Sequence, residues 1–165
     1  MQKYIGVKIV GAVPMTLGDY NKSKGWTIPA DEDPNRKGYQ VAHSDDYVSW
    51  CPKEQFEEAN RPCDAMSFGH ALEALKKGLK VCRAGWNGKG MYVAIQPGTM
   101  IMAEQARGGV AKCIAEEYGE RLMKDDERLI TICPHIDMRA ADGTCVVGWL
   151  ASQTDMLADD WQIVE

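Results

Sequence analysis

Turn and stop signals recur so densely along this chain that only short strands and helices of a few turns fit between them. Ile5, Val7 and Ile9 alternate on one side of a strand that Pro14 should end. Thr16-Leu-Gly-Asp19 has the form of a capping box and should open a short helix that Gly25 stops. "PADEDPNRKG" carries turn chemistry and little else. "YQVAHSDDYVSW" reads as a hairpin reversing near Ser44-Asp45-Asp46. "CPKEQFEEAN" begins a brief helix with Pro52 in its first turn, where a missing N–H costs nothing. A unit of about 60 residues built this way is marginal alone, because too little of its surface is buried.

A second segment opens with "SFGHALEALKKG". Ser67 is a natural N-cap, Phe68, Ala71, Leu72 and Leu75 share one helical face, and Gly78 supplies the left-handed stop. "LKVCRAGWNGKGMYVAIQ" predicts two strands reversing at Asn87-Gly88. From 102 to 123, Val110, Ile114, Tyr118 and Leu122 fall four apart, with Gly108-Gly109 starting or kinking the helix. "RLITICPHIDMR" and "TCVVGWLA" form an expected hairpin across Asp142-Gly143, and a turn at "SQTDMLADDW" leads to the strand "WQIV". The expected class is α+β, with two small modules, 1–62 and 66–165, each a short antiparallel sheet with one or two helices. A helical insertion is expected at about 97–129.

The chain has 165 residues and a net charge of −5, and the charge is uneven. Residues 66–95 hold five basic side chains against Glu73 alone, whereas 96–165 hold six basic and 13 acidic. A local positive segment in an acidic protein argues against DNA or RNA as partner but suits a small anionic ligand. A solvated, lysine-rich helix end is the plainer alternative. No apolar run reaches the roughly 20 residues of a membrane span, and the start reads as a strand rather than a signal peptide, so a cytoplasmic protein is expected.

The six cysteines are widely spread with no CxxC pair, so reduced and mostly buried thiols are expected. Cys133-Pro-His135 is one close pair without a second half, which gives no case for a metal. His43, His70 and His135 sit in separate elements, and GxSxG, HExxH and a Walker phosphate loop are missing. Asp159 and Asp160 are neighbours whose side chains point apart, so they cannot form an acid/base dyad. No catalytic residue, metal or cofactor is expected.

Binding chemistry is better represented. Stacking on an aromatic side chain holds a flat base with about 1–3 kcal/mol, and phosphates need arginine forks and open backbone N–H groups. "RAGWNGKG" offers Arg83, Trp86, Asn87, Lys89 and three glycines within eight residues. The alternative is a two-residue turn with Trp86 packed inward; Trp149 and Trp161 are expected in the core. "SQTD", 152–155, is either an N-cap motif or a row of polar groups facing a ligand.

"MSFGHALEALKKGLKVCRAGWNGKGMYVAI" closely resembles the start of the Thoeris anti-defence two family of phage proteins, and "VVGWLASQTDMLADDWQIVE" resembles its C-terminal end. The N-terminal segment looks like a recurrent phage module. The resemblance implies a molecular sponge that binds cyclic ADP-ribose signals, and in some members cyclic dinucleotides, without cleaving them. It also implies a homotetramer with ligand sites between protomers, acting in the host cytoplasm. Carried over, Trp86 would stack on the base, Asn87 would hydrogen-bond the ligand, and Arg83 and Lys89 would face phosphates. Phe68 would line the pocket, and Ser152, Gln153, Thr154 and Asp155 would close it. The chain departs from the family in its first 65 residues and in the longer stretch from Pro97 to Leu129, which could narrow the pocket, change the ligand or serve assembly. A nucleotide hydrolase using Asp155 or another carboxylate, and a phage structural or interaction module, are the competing classes.

Overall fold

The computed structural model describes residues 2, 7–121 and 129–165. The protein is α+β, and the chain divides into two compact units, Met1–Pro62 and Cys63–Glu165.

In the first unit, β1 (Gly11–Thr16), β2 (Lys37–Ala42) and β3 (Val48–Pro52) form an antiparallel sheet in that order. Helix α1 (Leu17–Lys24) starts as its capping box requires, with Thr16 Oγ1 accepting from the Asp19 N–H at 3.1 Å, and ends at Gly25 with φ 69°. Helix α2 (Lys53–Ala59) follows β3 with Pro52 at its N-cap. Leu17, Tyr20 and Val41 are buried, and the Tyr20 hydroxyl donates to the Val48 carbonyl at 3.0 Å. The expected strand through Val7 and Ile9 is replaced by one that begins at Gly11 and contains Pro14; Ile5 lies outside the described residues. Strand β1 is an edge, so a proline without an N–H can be accommodated on its outer side.

In the second unit, helix α3 (Phe68–Lys76) packs on a five-stranded antiparallel sheet. The strands are β4 (Lys80–Arg83), β5 (Tyr92–Gln96), β8 (His135–Arg139), β9 (Cys145–Val146) and β10 (Trp161–Val164), in the order β10-β4-β5-β8-β9. Of the predicted helix face, Ala71 and Leu75 are buried with Ala74 against Val81, Val93, Met66 and Trp161, whereas Phe68 and Leu72 are only partly covered. Ser67 occupies the N-cap, but its hydroxyl pairs with His70 Nδ1 at 2.8 Å instead of capping the backbone.

Between β5 and β8 the chain leaves the sheet. The expected helical insertion is mixed: β6 (Thr99–Met102), a short 3-10 helix (Ala103–Gln105), α4 (Gly109–Arg121) and β7 (Leu129–Ile132). Among the described residues β6 and β7 pair only with each other, so the expected 128–151 hairpin is divided: β7 serves this ribbon while β8 pairs β9 across Asp142-Gly143. Helix α4 begins at Gly109, whose φ of 62° suits glycine, and Val110 is exposed. Leu122 lies outside the described residues.

The thiols depart from expectation. All six are free, but Cys63, Cys113, Cys133 and Cys145 are exposed.

Candidate functional site

Strand β10 returns antiparallel to β4 with Trp161 opposite Arg83. That register brings the residues before β10 against the loop after β4, so the two stretches singled out in the sequence meet.

The first consequence concerns Arg83. Its Nε donates to Asp160 Oδ1 at 2.7 Å and its Nη1 to Asp155 Oδ1 at 2.9 Å, with Nη2 3.4 Å from Asp160 Oδ2. The Arg83 side chain is only 14% exposed. Its fork is occupied by two carboxylates of its own chain, which raise its pKa further.

Asp155 is a junction. Ser152 N–H and hydroxyl donate to its Oδ2 at 3.1 and 2.7 Å, and Trp86 Nε1 donates to its Oδ1 at 3.2 Å. Its main-chain carbonyl accepts from Trp161 Nε1 at 2.9 Å. Burial pushes its pKa up, but the hydrogen bonds from Ser152, Arg83 and Trp86 outweigh this and hold it at about 2. Both Asp155 carboxylate oxygens are thus engaged within the chain. Ser152 is the cap of α5 (Gln153–Met156), accepting from the Asp155 N–H at 3.1 Å, as its capping reading expects. Gln153 and Thr154 are exposed on that turn.

Trp86 is half-buried. Its ring meets Trp161 edge-on at 5.4 Å and Trp149 at 6.1 Å, and those two meet each other at 6.2 Å. Trp161 is fully buried, as expected of a core residue, whereas Trp149 is only partly covered. Phe68 packs on Trp161 at 5.5 Å and is partly buried against the core. Edge-to-face contacts at these separations fix the Trp86 ring plane as well as burying area.

The predicted two-residue turn at Asn87-Gly88 is not formed. Residues 84–91 make a longer loop, and the left-handed position is Gly90, φ 71°. Asn87 and Lys89 are exposed on it. A Cβ on Gly88 would stand 2.5 Å from Ala141 Cβ and from Met91 Sδ. Gly88→Ala should therefore displace the loop and cost about 1–3 kcal/mol, read as a lowered melting temperature.

Asp160 was missed as a site residue because its sequence context is only a pair of neighbouring acids. The signal that finds it is its place just before a strand paired with β4. Among the described residues, no group of three or more His, Cys, Asp or Glu could hold a metal ion. His135 Nδ1 pairs with the Cys133 carbonyl at 2.9 Å. An open cleft of about 450 Å³ lies in the first unit beside Asp19, Lys37, Tyr39 and Lys53, and another of about 430 Å³ beside Cys63, Asp64, Ile163 and Glu165. Neither includes Trp86. Among the described residues no helix is long and apolar enough to cross a membrane.

These features define a small α+β domain that displays a tryptophan-bearing, glycine-rich loop tied to a C-terminal acidic turn. Residues 66–164 match the Tad2-like family, the Thoeris anti-defense 2-like domain, and the chain belongs to that family. It is 36% identical over 99 residues to Thoeris anti-defense 2 of Bacillus phage SP01, an alignment that spans 60% of this chain and 94% of the relative.

Proposed function

We propose that the protein is a phage anti-defence protein that sequesters a cyclic nucleotide immune signal in the host cytoplasm without cleaving it. Cyclic ADP-ribose isomers are the leading ligands, with cyclic dinucleotides next. The observation that carries this reading is family membership over residues 66–164, including the whole Trp86 loop and the turn that holds it. Trp86 would stack on the base, Asn87 would read polar edges, Lys89 would meet phosphate, and Gln153 and Thr154 would add contacts from α5.

The hydrolase alternative is less favoured by the site's electrostatics. Asp155, its best carboxylate, has both oxygens engaged by Arg83, Trp86 and Ser152, which leaves it poorly placed as a base or nucleophile. Nanomolar capture corresponds to about −12 kcal/mol, far beyond one stacked base worth about 1–3 kcal/mol. A pocket completed by further copies of the chain, most simply a homotetramer, would supply the difference. The apolar surface near α5 supports this, since Val147, Leu150 and Leu157 are 71%, 88% and 84% exposed.

Incubating the protein with cyclic ADP-ribose isomers and cyclic dinucleotides, then heating and assaying the supernatant, should release one of them intact. A converted product would favour the hydrolase, and no uptake would favour an interaction module. Light scattering after size exclusion should give a tetramer. A monomer with nanomolar affinity would contradict the shared pocket.

A further inference from the structure

The loop 84–91 is fastened at both ends by side chains that the nucleotide-binding reading does not use. At its start, the Asp160 carboxylate accepts the Gly85 N–H at 2.8 Å while holding Arg83, and the Asp160 carbonyl accepts the Ala84 N–H at 3.0 Å. At its far end, Arg139 on β8 donates from Nη1 to the Gly90 carbonyl at 2.7 Å. Between these clasps, Gly88 lies close against Ala141 and Met91. The side chains left outward within this frame include Asn87 and Lys89, with Trp86 half-exposed beside them.

We propose that residues 84–91 are a recognition loop set in its binding shape before ligand arrives, and that Asp160 and Arg139 are the positioning residues that set it. The proposal rests on the nucleotide-binding reading above. Asp160 is not a ligand contact by chemistry: it is anionic, as a phosphate is, and both its oxygens already accept hydrogen bonds. Its pKa is held low by the Arg83 hydrogen bond, so the clasp persists at neutral pH. A loop ordered in advance loses less freedom on binding, which is where such residues act on affinity.

Hydrogen–deuterium exchange on the ligand-free full chain tests this with Asp160→Asn and Arg139→Gln. Arg139 is exposed, so the second variant remains informative if the first fails to fold. Amides of residues 84–90 should exchange about tenfold faster in each variant, as expected for losing a charge-assisted bond, while helix α3 keeps its protection. The dissociation constant for the tightest binder among the cyclic ADP-ribose isomers and cyclic dinucleotides should rise about tenfold in each. Unchanged loop exchange in both variants overturns the proposal, and so does exchange that quickens equally across residues 63–165. Affinity that stays at wild-type level while the loop loosens also overturns it. If the unmodified protein takes up none of these nucleotides and the loop still loosens as expected, the clasp stands and the nucleotide reading falls.

Discussion

Asp155→Ala should destabilise residues 63–165 by roughly 2–4 kcal/mol, one of the two largest effects expected in this protein. The carboxylate receives four donors, from Arg83, Trp86 and twice from Ser152. Alanine leaves the Trp86 and Ser152 groups without that partner and gives Arg83 only Asp160 as counter-charge. The loss is less than for an isolated buried ion because Asp160 still neutralises the guanidinium. Urea unfolding followed by amide exchange in α3 and β4 would measure it. A change below about 0.5 kcal/mol would show the junction to be energetically idle.

The same residue sets an acid limit. Its pKa falls from 3.8 in the free side chain to about 2 in the folded protein. Between those values the unfolded chain binds more protons than the folded one, so stability falls as acid is added. The stabilisation is complete above 3.8 and disappears as pH drops through about 2; it amounts to about 2 kcal/mol. Asp155→Asn should lack this component, so the stability gap between it and the parent protein should close on acidification across that window.

Trp86→Ala should raise the dissociation constant for a captured nucleotide about 100-fold, the upper range of one lost stacking contact. It should also lower stability, by about 2 kcal/mol, because the half-buried ring packs against Trp149 and Trp161. Titration calorimetry and thermal unfolding on one preparation would separate the two effects. Trp86→Phe should recover much of the packing while losing the 3.2 Å bond to Asp155. Full binding by a folded Trp86→Ala protein would place the ligand elsewhere, and complete unfolding would make Trp86 a core residue first.

The elements legible beforehand were those whose causes lie within a few residues. The Thr16–Asp19 box and Gly25 bound α1, the apolar face of Phe68–Lys76 marked α3, and "WQIV" marked β10. Each depends on local backbone geometry or one short periodicity, which a string of residues carries in full. Pro14 is tolerated inside β1 because that strand is an edge, a property of the assembled sheet that no local pattern carries. Leu129–Ile132 pairs with β6 and not within the expected hairpin, because a strand's pattern states that it pairs but not with what.

The candidate site divides along the same line. Its residue types and the importance of "RAGWNGKG" were visible in the string, since indole, amide, ammonium and glycine carry their binding chemistry wherever they stand. The orientation of Arg83 was not visible. Its partners Asp155 and Asp160 stand more than 70 positions along the chain and reach it only once β10 pairs with β4. Short-range forces write helices, caps and turns into sequence, whereas charge pairing acts through space and waits on the fold to choose its partners.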